Sequence, residues 1–193
     1  MATELFTIAH ATTAEFEVKK SRFIGAIYPC ATEQEALQHL RSLASQHPNA
    51  NHLAFAWRVR QVDGFINERC HDAGEPSGTA GRPILAPLQG EDLINTVVGV
   101  IRYFGGVKLG TGGLTRAYGA AAKQAIAAAS YIPWVEMTII KFEIDYAQLQ
   151  SLEYQLKKCH GQLIDKQFSD RVQVTIQLPA SEAEQLHQQF SGY

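Results

Sequence analysis

Arg102-Tyr103-Phe104-Gly105-Gly106-Val107-Lys108-Leu109-Gly110-Thr111-Gly112-Gly113-Leu114-Thr115-Arg116 is the stretch on which the fold turns. Before it, Leu93 to Phe104 is a long apolar run whose Val97, Val98, Val100 and Ile101 suit a central strand. After it, an alanine-rich segment from about Gly112 to Ser130 predicts a helix, with Gly105 to Gly110 as the loop between. The first amides of a helix lack partners and sit at the positive end of its dipole. Glycines let a ligand's oxygens approach the backbone closely. Lys108 and Arg116 add charge and the threonine hydroxyls add donors, a pattern suited to a phosphate or carboxylate. It is neither a P-loop nor a dinucleotide fingerprint, because G-x-x-x-x-G-K-[ST] and G-x-G-x-x-G are both absent. The bare pattern leaves an anion site and a tight structural turn both open.

The surroundings are uneven in composition. Of 15 glycines, 11 lie between Gly74 and Gly119. From Leu93 to Val135 there is no Asp or Glu, but there are Arg102, Lys108, Arg116 and Lys123. The whole chain of 193 residues carries a net charge of −2, which excludes a generally polybasic nucleic-acid binder but not a local basic site. Hydrophobic residues at 46% and charged residues at 19% are a globular mix. Cys30, Cys70 and Cys159 are odd in number and far apart, so a disulfide framework and a zinc knuckle are not expected, and reduced cytosolic thiols are. No apolar run approaches the roughly 20 residues that span a bilayer. Met1 to His10 lacks the basic region of a signal peptide and contains Glu4. A cytoplasmic protein that meets no membrane is the expectation.

Upstream, Phe16 and Val18 alternate with charged residues as in a strand, and Arg22 to Tyr28 is a second strand candidate. Thr32 and Glu35 form a capping box before a helix that ends ahead of Pro48. His52 to Arg60 and Phe65 to Cys70 read as paired strands around a turn at Val62-Asp63-Gly64. On the first of these, Trp57 marks a core face and His52 and Arg58 an outer one. Residues 71–82 read as a loop, and Pro83 as the first residue of a short helix. Lys19-Lys20-Ser21-Arg22 reads as a solvated basic entry.

The loop Cys70-His71-Asp72-Ala73-Gly74-Glu75-Pro76-Ser77-Gly78-Thr79-Ala80-Gly81-Arg82 concentrates acids. Asp72, Glu75 and Ser77 form a candidate ligand site for metal or acid–base chemistry. The plainer reading has Asp72 capping a turn and Glu75 pairing with Arg82. Ser77 lacks the G-x-S-x-G frame of a hydrolase.

A boundary near Ile132-Pro133-Trp134 divides the chain into domains 1–134 and 135–193. In the second part Ile140, Phe142, Ile144 and Tyr146 alternate as a strand, and Leu149, Leu152, Leu156 and Cys159 step as a helix closed by Gly161. A strand at Gln162–Phe168, another through Val172, Val174, Ile176 and Leu178, and a capping box at Ser181–Glu184 complete β-α-β-β-α. This is the split βαβ pattern without its last strand.

Four stretches carry a resemblance: Lys20-Ser21-Arg22-Phe23-Ile24, His52-Leu53-Ala54-Phe55-Ala56-Trp57, Asp72 to Gly81, and Arg102 to Leu114. In this order they resemble the bacterial, YigZ-like branch of the IMPACT family, over about residues 15–125. One departure is Ala73, where the family usually has a second acid; this weakens a two-carboxylate metal site. The resemblance implies an α+β protein of two domains. The first would be a β/α sandwich similar to the second domain of a small-subunit ribosomal protein, and the second would be ferredoxin-like, similar to the last domain of elongation factor G. The eukaryotic branch is linked to translational control through an extra N-terminal domain that this chain lacks. The family supplies no catalytic residue, and no metal or cofactor is expected.

Three functions follow as expectations. The first is a non-enzymatic, translation-associated regulator that binds RNA, the ribosome or translation factors through Arg82, Arg102, Lys108, Gly110, Thr111, Gly112, Gly113 and Arg116. The second is a protein–protein regulator acting through the ferredoxin-like domain. The third is an enzyme or sensor for a small phosphorylated ligand, in a pocket between the glycine loop and the acidic loop.

Overall fold

Apolar runs without alternation suit strands buried on both faces, and two segments have that character. In the computed structural model, which describes residues 4–191, β3 (Ser21–Pro29) and β6 (Thr96–Tyr103) pair antiparallel at the centre of a five-stranded sheet. β2 (Thr12–Val18) borders β3, while β4 (His52–Arg60) borders β6 and β5 (Ile66–His71) lies at the far edge. Every neighbouring pair in this sheet is antiparallel.

Helices cover both faces. α1 (Glu33–Gln46) packs Ala36 and Leu40 on Trp57, Val59 and Val97. Its start is as the sequence predicts, with the Thr32 hydroxyl accepting the Glu35 amide at 3.1 Å. α2 (Gly81–Gly90) and α3 (Gly110–Ala127) cover the other face. α3 buries Leu114, Ala117, Tyr118, Ala121, Ala122, Ala125 and Ile126, a stripe at helical spacing. It lies so close to β3 that a Cβ on Gly25 would overlap the Ala121 carbonyl. A short pair, β1 (Phe6–Ile8) with β7 (Tyr131–Pro133), was not legible in the sequence.

The expected outer face of β4 does not exist. Ala54 and Ala56 are small enough for α2 to pack over them, and Arg58 is only 8% exposed. Its guanidinium donates to Leu88 O at 3.2 Å and Leu93 O at 2.9 Å and pairs with Glu68 at 2.8 Å. The cation thus meets the Leu88 carbonyl in the last turn of α2, where the dipole favours it, and the Leu93 carbonyl just beyond the helix.

The chain divides into two compact units, one reaching Trp134 and one starting at Val135. The second contains β8 (Met137–Ile144), α4 (Leu149–Lys158), β9 (Gln162–Phe168), β10 (Val172–Pro179) and α5 (Ala180–Ser191). Its antiparallel sheet has the order β8-β10-β9, with Ile144, Leu152, Val174 and Ile176 at 0% exposure in the core. This is a ferredoxin-like arrangement with three strands among the described residues. α5 starts at Ala180, so the expected cap at Ser181 falls inside the helix. The protein is α+β, with two domains of different architecture.

Candidate functional site

The β2–β3 connection is a two-residue hairpin. Val18 pairs with Ser21, and Lys19 and Lys20 between them have φ of 47° and 64°. Left-handed conformations at both central residues match the twist of the flanking strands, although glycine or asparagine would adopt them more readily. The hairpin therefore displays two lysines at a conformational cost. Both are exposed.

The glycine-rich loop after β6 is fastened to this hairpin. The Phe104 amide donates to Asn51 Oδ1 at 2.8 Å, and the Gly105 amide donates to the buried Ser21 Oγ at 3.3 Å. A Cβ at Gly105 would overlap the Lys20 carbonyl, so only glycine allows this approach. Two basic stretches more than 80 residues apart are thereby placed side by side. Of the lysines read from the sequence as a solvated entry, Lys19 lines the glycine-loop site and Lys20 lies against Gly105 through its backbone. Their signal was the Lys-Lys pair between two strand runs, without the Asn-Gly or Asp-Gly that usually marks such a turn.

At the other end of the loop Gly110, with φ 73°, opens α3. No side chain caps this helix and no acid sits in its first turn. Thr111 and Gly112 are exposed, as are Lys108 and Arg116. The Arg116 guanidinium folds back over the first turn, where Nη1 would lie 3.6 Å from a Cβ on Gly112. A niche of about 260 Å³ lies beside this turn, between Lys19, Leu109, Gly113 and Arg116, with Phe16 and Val18 in its wall. Phe104, 47% exposed, and Val107, 43% exposed, add apolar surface to the loop. Open amides, lysines, a guanidinium and an exposed aromatic ring are together suited to phosphate and to a stacked base.

The acidic loop is built differently. Asp72 accepts the amides of Gly78 at 2.9 Å, Ala80 at 3.1 Å and Gly81 at 2.8 Å, and so closes the turn that starts α2. Burial works to raise its pKa, but these amides and the nearby His71 outweigh it and hold the carboxyl below its usual range. Glu75 does not pair with Arg82. Its Oε1 accepts from Arg102 Nη1 and from Tyr118 Oη, each at 2.7 Å, and lies 3.7 Å from His52 Nε2. His52 in turn holds Ala73 O through Nδ1 at 2.8 Å. Burial, and then the bond to Glu75, push the Tyr118 hydroxyl well above its ordinary pKa.

The predicted set therefore divides. Lys108, Gly110, Thr111, Gly112, Gly113 and Arg116 share one open surface. Arg102 is only 5% exposed, turned inward to Glu75 and lying over the rings of Phe23 and Phe104. It is a strut of the fold rather than a surface contact, because its charge is needed against a buried carboxylate. Arg82 is exposed on the first turn of α2, outside the niche. Ser77 is exposed on the acidic loop. The niche is bounded by β2 and not by Asp72 or Glu75, so it does not join the glycine loop to the acidic loop. Among the described residues no group of three or more His, Cys, Asp and Glu could hold a metal ion. No helix among them is long and apolar enough to cross a membrane.

A helix-flanked antiparallel sheet bearing a glycine loop, followed by a ferredoxin-like unit, defines a two-domain class. Residues 19–126 match the Impact N-terminal domain, and residues 142–191 match a domain of unknown function. The chain belongs to the IMPACT family. It is 33% identical over 193 residues to IMPACT family member YigZ of Escherichia coli, covering all of this chain and 94% of that protein. It is 36% identical over 168 residues to IMPACT family member YvyE of Bacillus subtilis, covering 87% of this chain and 76% of that one. A crystal structure described as that of a hypothetical protein has a TM-score of 0.73 at 32% identity, with 98% of this chain and 92% of the other covered.

Proposed function

We propose that this protein is a translation-associated regulator that binds RNA through the surface made by the Lys19-Lys20 hairpin and the glycine loop. The observation that carries the reading is the seating of the hairpin on Gly105, which gathers cations from distant segments beside an uncapped helix start. Lys19, Lys20, Lys108 and Arg116 contact phosphates, the amides of Thr111 to Gly113 add donors, and Phe104 offers a ring for one base. The resemblance of the two domains to a small-subunit ribosomal protein domain and to the last domain of elongation factor G supports the same role. The niche beside Gly113 supports a second reading, in which a small phosphorylated ligand is held by the same groups.

Fluorescence anisotropy with a labelled single-stranded RNA of 15 nucleotides, competed by inorganic phosphate and by a mononucleotide, separates these readings. Saturable RNA binding that neither competitor displaces at equal phosphate concentration is expected. Displacement by the mononucleotide favours the small ligand, and no binding of any of the three overturns both.

A further inference from the structure

A second cavity of the N-terminal unit lies largely outside the site above. It is a groove of about 1220 Å³ between α2 and α3. Small and apolar residues line it, among them Ala86 and Pro87 from α2 and Gly119, Ala120 and Ala127 from α3. The two helices meet at Gly119, where a Cβ would stand in ordinary contact, 3.7 Å, with the Pro83 carbonyl. Along α3 the groove runs from Thr115 to Ala127, about 18 Å at 1.5 Å per residue. That length exceeds a small metabolite and matches a helix of roughly a dozen residues.

Charge along the groove is one-sided. Arg116 and Lys123, two turns apart on α3, both line it, and α3 contains no acid. Glu91 is the one carboxylate in the lining, and it accepts from Tyr131 Oη at 3.3 Å. A partner that buries an apolar face here must therefore meet two cations about 10.5 Å apart on one side. Acids seven residues apart on an α-helix have that spacing.

We propose that the α2–α3 groove docks an amphipathic α-helix of a partner protein, with its apolar stripe on the alanine and proline floor and two acidic residues, seven apart, against Arg116 and Lys123. This is the helix-in-groove mode, with charge fixing the orientation. The groove shares Arg116 and Ala120 with the niche beside the glycine loop, but Ala86 and Lys123 line the groove and not the niche, so variants at those two positions test it separately from RNA binding.

The test uses the full chain and a labelled 18-residue helical peptide with a leucine stripe flanked by two glutamates seven positions apart. A second peptide has those glutamates replaced by lysines. The acidic peptide should bind saturably. Lys123→Glu should weaken it at least tenfold and strengthen the lysine peptide. Ala86→Trp, at an exposed position that fills the groove, should weaken the acidic peptide at least tenfold with an unchanged melting curve. Lys108→Ala should leave peptide binding as it is. Equal binding of both peptides, no effect of Lys123→Glu and Ala86→Trp, or self-association through the groove with no peptide bound would overturn the proposal.

Discussion

The loop from Asp72 to Ala80 turns its charges inward, whereas the loop from Phe104 to Gly110 leaves its own outside. In the first, Asp72 is saturated by three backbone amides and Glu75 by Arg102 and Tyr118. In the second, the backbone is fastened by Asn51 and Ser21 while Lys108 is left in solvent. Charge density in a sequence does not distinguish these outcomes. What decides is whether the fold supplies a partner. Charges with buried partners hold the architecture, and charges without them are available to a ligand.

The contrast breaks most visibly at Glu75. Glu75→Ala leaves Arg102 buried without its carboxylate and should cost about 3–5 kcal/mol in urea denaturation. Replacing Glu75 by Leu and Arg102 by Met together should recover part of that loss, since the buried charge is gone while the buried Tyr118 hydroxyl still lacks its acceptor. A loss below about 1 kcal/mol for Glu75→Ala would show that the pair is not structural.

Gly105→Ala comes next. The added methyl group meets the Lys20 carbonyl, and overpacking of this kind costs about 1–3 kcal/mol. RNA affinity should fall with it, because hairpin and loop separate. Unchanged RNA affinity in a folded variant would break the link between the two segments.

Asp72→Asn retains an acceptor for the α2 amides but loses the charge, and should cost about 1 kcal/mol near neutral pH. The folded carboxyl lies below its ordinary value, so its contribution is present above the unfolded pKa and fades as pH falls through the folded one. Urea denaturation at pH 6 and pH 3 should show the gap between wild type and variant narrowing in acid. An equal gap at both values contradicts the cap.

The smallest effect has the opposite sign. Lys20→Gly relieves a left-handed residue, worth about 1–2 kcal/mol, against an unfolded-state entropy cost of about 0.4–1 kcal/mol. Stability should rise by about 0–1.6 kcal/mol while RNA binding weakens. A variant that gains in both would remove the hairpin from the site.

Much of this was legible before any coordinates. The helix after the glycine loop, expected from about Gly112 and found from Gly110, the capped α1, the β4–β5 hairpin and the β-α-β-β-α order of the second unit follow from periodicity and turn chemistry. What escaped was long-range pairing. Arg82 lies seven residues from Glu75 and looks like its partner, yet Arg102 takes the place from across the sheet. Nothing in local sequence says that β6 passes under the acidic loop. Nor does Lys19-Lys20 reveal that the Lys20 carbonyl will lie against Gly105, since register between β2, β3 and β6 sets that contact. Arg58 misled for the same reason: period-two alternation suggests a wet face, and α2 covers it.

The salt dependence of RNA affinity tests the central claim most directly. For the wild type, the logarithm of the association constant should fall with the logarithm of salt concentration, by about 0.7 for each phosphate neutralised on a single strand. The triple variant Lys20→Ala, Lys108→Ala, Arg116→Ala should keep the wild-type melting temperature and show a slope shallower by about 2. The same slope and affinity in both proteins would contradict an RNA-binding surface at the hairpin and glycine loop.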